Sequence, residues 1–168
     1  LQQHGTTIIL VTHHRDEFVN ADRIIRLDNG RIVQSARGNT ASIPEMDESG
    51  TAQEDNPIAK SNIANGASKP TSAVPIIEIH NLIYQYPNSS KPVLDKLSIT
   101  INEGETVAIT GHNGAGKTTL ARLLCALEQP QSGSITVNTI PLARQRANGN
   151  MQSLKRADRE KLRATIGY

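Results

Sequence analysis

The sequence predicts an α/β fold, and three observations support it. Thr106-Val107-Ala108-Ile109-Thr110 is a short β-branched run suited to a strand buried on both faces. It runs into a glycine-rich octet, Gly111-His112-Asn113-Gly114-Ala115-Gly116-Lys117-Thr118. Leu120, Leu123, Leu124 and Leu127 then recur at helical spacing, with Gln129-Pro130 as the stop.

Along the chain, Thr6–Thr12 is a β-branched run, followed by two histidines and a short polar, helix-like stretch. A second strand is expected around Arg23–Leu27. Asp28-Asn29-Gly30 is a turn signal, and Arg31-Ile32-Val33 is its hairpin partner. Residues 35–75 change character: Ser, Asn, Ala, Gly, Pro and acids dominate, with no aromatic and no sustained period. Such a stretch cannot bury enough surface to offset its ordering entropy, so a flexible, disordered linker is expected there. The faint glycine signature in Ser49-Gly50-Thr51-Ala52-Gln53 is coincidental in that setting. Order is expected again from 76. Ile77, Ile79 and Leu82 mark a strand ending near Tyr84–Tyr86, and Leu97, Ile99 and Ile101 alternate on the next. Asn102-Glu103-Gly104-Glu105 is a turn, and Ile135 with Val137 marks a further strand. Residues 151–163 form a basic helix candidate with Met151, Leu154 and Leu162 as its apolar positions.

The octet has the spacing G-x-x-x-x-G-K-T, which dictates chemistry. Glycines let backbone N–H groups turn inward around a polyphosphate. Lys117 can reach the β- and γ-phosphates, the Thr118 hydroxyl can ligate Mg²⁺, and the helix aims its positive end at the same anion. The expected cofactor-binding residues are therefore Gly111, His112, Asn113, Gly114, Ala115, Gly116, Lys117 and Thr118.

Composition narrows the alternatives. A net charge of +2 gives no argument for nucleic acid, and the cations of 151–163 are interleaved with Asp158 and Glu160, as on a solvated face. Aromatics are only 2% of the chain, so the core must be modest. The single cysteine, Cys125, excludes a disulfide framework and reads as a packed helix residue. No apolar run approaches the ~18–20 residues of a membrane-spanning helix, so membrane association is expected to come through a partner. Leu1 stands where Met would open a chain, and Tyr168 falls within the start of another expected strand. A piece of a longer polypeptide is expected.

With these motifs in order, residues 76–168 resemble the beginning of an ATP-binding-cassette (ABC) ATPase domain, and residues 1–34 resemble the end of another. The resemblance implies a P-loop NTPase core with an antiparallel β-subdomain, incomplete here, in a protein carrying two cassettes. Tyr86, within Tyr84-Gln85-Tyr86-Pro87, matches the aromatic that stacks on adenine; on residue grounds alone it ends a strand. Thr119 matches the position supporting the α-phosphate. Arg163-Ala164-Thr165-Ile166-Gly167-Tyr168 is similar to the strand leading to the family's Gln-containing loop.

Thr12-His13 resembles the switch histidine that follows its strand in the first cassette, with Ala21-Asp22-Arg23 and Asp28–Ile32 as closing strands. His13 would hydrogen-bond the γ-phosphate and attacking water of that cassette's own nucleotide. The other interpretation is a polar cap on a strand. His14 stands where the family usually has Asp.

The resemblance further implies ATP and Mg²⁺ as cofactors, with transmembrane transporter subunits and a second ABC ATPase domain as partners. It implies a peripheral location on the cytoplasmic face of the cell membrane. The wording of the loop is most similar to the energy-coupling-factor branch, which imports vitamins and transition-metal ions. A duplicated cassette protein acting on ribosomes is the alternative, with an unrelated P-loop kinase or GTPase third. Without the family's base and signature residues, this stretch alone is expected not to hydrolyse ATP. Residues 1–34 are expected to dock beside 106–110, because in this fold the phosphate-loop strand lies between the strand before the switch histidine and the strand after it.

Overall fold

A computed structural model describes residues 6–12, 20–37, 74–146 and 149–167. In chain order the elements are β1 (Ile8–Val11), β2 (Arg23–Asp28), β3 (Arg31–Arg37), β4 (Pro75–Tyr84), β5 (Leu94–Asn102), β6 (Thr106–Thr110), α1 (Lys117–Leu124), β7 (Ser132–Val137), β8 (Ile140–Gln145), β9 (Met151–Ser153) and α2 (Arg156–Thr165). The expected linker lies outside the described residues except at its ends, where β3 continues to Arg37 and β4 begins at Pro75.

Two sheets form, ordered β1-β6-β2-β3 and β5-β4-β7-β8-β9. In the first, β6 pairs in parallel with β1 on one side (Ile8↔Thr106 to Val11↔Ile109) and with β2 on the other (Arg23↔Val107 to Arg26↔Thr110). The docking expected from the resemblance is present, and β6 is central. Its Val107, Ala108 and Ile109 have no exposed surface, as a strand flanked on both edges and covered on both faces requires.

Polar contacts fix the same junction. Asp22 N–H donates to Thr106 O at 2.8 Å, and Thr106 N–H donates back to Asp22 Oδ2 at 2.8 Å. Arg23 pairs with Glu105 at 2.9 Å, and Gly104 N–H donates to Thr7 Oγ1 at 2.9 Å.

The second sheet is wholly antiparallel. Along β4 the buried residues are Ile77 and Ile79, then Leu82 and Tyr84. This change of phase needs an extra residue, supplied where Asn81 turns to φ 46° and its N–H donates to Ser98 Oγ at 3.0 Å. Such a bulge keeps both halves of the strand facing the core.

Three sequence expectations are corrected. The loop helix was expected to carry Leu127, but α1 ends at Leu124 and Leu127 is exposed. Ala126 adopts φ 52° while its N–H donates to Leu123 O and that of Leu127 donates to Arg122 O, a Schellman stop built without glycine. The helix expected over 151–163 is displaced. Met151–Ser153 pairs with β8 instead, and α2 begins only after Lys155, which is extended (ψ 152°). Consequently Arg163–Thr165, expected as strand, is the last turn of α2, and extended backbone resumes at Ile166.

Tyr84 ties the second sheet to the turn after α1. It is 3% exposed, and its hydroxyl donates to Glu128 Oε2 at 2.9 Å; Glu128 also pairs with Arg122. Burial, then that bond, pushes its pKa up to about 12. A phenol held neutral in the fold loses that advantage as pH climbs above its unfolded value of about 10. Stability should therefore fall between pH ~10 and ~12 in the wild type. Tyr84→Phe should lack that component of the alkaline loss in thermal melts, and parallel curves would count against it.

Candidate functional site

The phosphate loop leaves β6 at Gly111 and enters α1 at Lys117. Gly111 has φ 148°, and a Cβ there would lie 2.3 Å from the carbonyl oxygen of Leu27 on β2. The N-terminal hairpin thus presses directly on the root of the loop. It also meets the loop's far end, because Gly30 N–H donates to Ala115 O at 3.2 Å.

A cleft of about 420 Å³ opens over the loop. Asn113, Gly114, Gly116, Lys117, Thr118 and Thr119 line its floor, while Tyr86, Val93, Val11 and Thr12 form its walls. Lys117 is folded back, its Nζ donating to Gly111 O at 2.6 Å and His112 O at 2.9 Å. Partial burial lowers its pKa, since the ammonium gives up hydration without gaining a counter-charge. A polyphosphate would supply that charge.

Tyr86 is half-buried beside the loop. Its hydroxyl lies 3.1 Å from Thr119 Oγ1, and its ring meets Tyr84 edge-to-face at 5.0 Å and 88°. The ring is thereby held beside the phosphate floor.

Of the expected site residues, Tyr86, Asn113, Gly114, Gly116, Lys117, Thr118 and Thr119 share the one cleft. Gly111 and Ala115 lie at its root, packed on β2 and the following turn. His112 turns instead to Asp28. His13 and His14 lie outside the described residues. Sequence reasoning missed Thr12, Val11 and Val93 as walls. It also took Asp28 for a turn residue alone, since no local signal announces a partner 84 positions away.

The donor set bears on Mg²⁺. Among the described residues no group of three or more His, Cys, Asp or Glu could hold a metal alone. Mg²⁺ commonly binds through one or two protein ligands, substrate phosphates and several waters. The exposed Thr118 hydroxyl on the cleft floor suits that arrangement, so the residues fit a metal brought by a nucleotide.

A central parallel strand, a glycine loop and a helix opening with Lys-Thr define a P-loop NTPase domain. The family model described as ABC transporter matches residues 94–168, and those residues belong to the ABC transporter family. A protein of Bifidobacterium longum described as an ABC transporter ATP-binding protein is 38% identical over 194 aligned residues, covering 100% of this chain and 25% of the relative. An energy-coupling factor transporter ATP-binding protein of Latilactobacillus sakei is 52% identical over 68 residues, 40% of this chain and 24% of its own. A colicin V secretion/processing ATP-binding protein of Escherichia coli is 46% identical over 66 residues, 39% of this chain and 10% of its own. The chain thus spans a quarter or less of these curated relatives.

Proposed function

We propose that this chain is the junction of a two-cassette ATP-binding subunit of an ABC transporter, working with transmembrane subunits at the cytoplasmic face of the membrane to import a vitamin or metal ion. The single observation that carries the nucleotide part is the cleft in which Lys117, Thr118 and Tyr86 converge. The import part rests on the likeness to energy-coupling factor ATP-binding proteins. The two-cassette part is supported by a relative that aligns along the whole chain.

In this mechanism ATP lays its triphosphate in the loop. Lys117 releases the two loop carbonyls and turns to the β- and γ-oxygens, exchanging neutral acceptors for charged ones. Backbone N–H groups of the loop and the start of α1 carry the remaining charge. Bound Mg²⁺ would be held by Thr118 and the phosphates, where it would neutralise charge during phosphoryl transfer. Tyr86 offers a ring face to adenine, with Thr119 below it near the α-phosphate. No residue lining the described cleft carries a carboxylate to serve as general base. Hydrolysis is therefore assigned to the whole polypeptide, with His13 serving the first cassette, and this chain binds without turnover.

Calorimetric titration of the chain with Mg-ATP tests the proposal. Saturable 1:1 binding is expected, weakened several-fold by Thr118→Ala only when Mg²⁺ is present. Tyr86→Ala should weaken ATP but leave inorganic triphosphate unaffected, because it removes a base contact and no phosphate contact. No saturable binding, or equal losses for both ligands, would overturn these assignments.

A further inference from the structure

The histidine within the phosphate loop has both ring nitrogens engaged. His112 Nδ1 lies 2.6 Å from the carbonyl oxygen of Asn113, and Nε2 lies 2.7 Å from Asp28 Oδ1. Both facing atoms are acceptors while Asp28 is ionised. A neutral imidazole owns one N–H and one bare lone pair, so it satisfies one contact and turns a lone pair on the other oxygen. The imidazolium donates from both nitrogens and satisfies both.

The ring also sits at a junction. His112 O accepts Lys117 Nζ, and Asp28 ends the strand that presses on Gly111. The hairpin therefore holds the loop at three places: Leu27 at Gly111, Asp28 at His112 and Gly30 at Ala115.

We propose that Asp28 is a positioning residue for the phosphate loop, holding it through the ring of His112, so that nucleotide affinity falls when the Asp28 carboxylate is removed. The inference rests on the ATP-binding function proposed above. A loop already fastened loses less freedom when it closes on phosphate.

Asp28 ends β2 and faces the ring directly, while Lys117 of α1 meets the backbone carbonyl of His112. The side chains of His112 and Asp28 are 53% and 43% exposed, so solvent screens the pair and the expected effect is modest, about threefold in affinity.

The test is ATP affinity of the chain for the wild type, Asp28→Ala and Asp28→Asn. Asp28→Ala should bind ATP about threefold more weakly. Asp28→Asn keeps an oxygen that can accept from the ring and should restore most of the wild-type affinity. In the nucleotide-free chain, Asp28→Ala should shift the NMR resonances of the His112 ring, and Asp28→Asn should shift them less.

Equal ATP affinity in the wild type and Asp28→Ala, with binding still weakened by Lys117→Ala, would overturn the positioning role alone. Absence of saturable binding by the wild type would overturn the ATP-binding function and the affinity claim with it. Ring resonances left unmoved by Asp28→Ala would overturn the contact directly.

Discussion

Lys117→Ala should reduce ATP affinity by about 10- to 100-fold, the loss of one or two charge-assisted hydrogen bonds to phosphate. In the ligand-free chain the same ammonium donates only to Gly111 O and His112 O. Those carbonyls are neutral, and burial already disfavours the charge. Removing it should therefore leave the melting temperature nearly unchanged. The discriminating result is that split, a large loss of binding with little loss of stability. A variant that binds ATP normally would show that the folded-back lysine never turns to the nucleotide. One that unfolds would show instead that Lys117 holds the loop together.

Gly111→Ala should destabilise the chain by about 3–5 kcal/mol, combining a backbone conformation that side chains resist with a clash against a carbonyl that cannot move alone. The new Cβ would lie 2.3 Å from Leu27 O, so β2 must retreat from β6 or the loop must shift. At ~2–4 °C per kcal/mol for a chain of this size, the melting temperature should fall by about 10 °C. Gly114→Ala is the matched control. Its φ of 86° is also positive, yet an added Cβ there meets nothing within 4 Å. It should cost only the backbone term, about 1–2 kcal/mol. Equal melting temperatures for the two variants would mean that Leu27 does not approach the loop in solution.

The phosphate loop and its strand were legible because their chemistry is local. Thr106–Thr110 is observed as β6, and the hairpin turn at Asn29-Gly30 falls where its residues predicted. The placement of β1 and β2 beside β6 was legible only through the order of motifs, since nothing in residues 6–12 names a partner strand. Elsewhere tertiary context prevailed. Ala126 is a poor candidate for a left-handed helix stop, so the end of α1 could not be read from propensity. Pro141 argues against a strand, yet β8 carries it opposite Thr136, where a register shift relieves the missing donor. Met151 fits a helical period as well as a strand, and pairing with Gln145 decides it. His112 was legible as a loop residue but not as the partner of Asp28, whose side chain reaches it only after the hairpin has docked.

The central position of β6 also bears on the order in which the molecule assembles. Its flanks are joined to residues far away in the chain: Thr7 contacts Asn102 across 95 positions, and Asp22 contacts Thr106 across 84. Closing loops of that length adds little to the final free energy, because the entropic penalty grows only logarithmically. It delays the encounter, and high contact order is the main determinant of slow folding. The β4–β5 and β7–β8 ladders join neighbouring strands and can form early. The phosphate cradle acquires its shape only when β1 and β2 arrive on either side of its root. During refolding, antiparallel structure should therefore appear before ATP binding, and competence for nucleotide would mark the last step of folding.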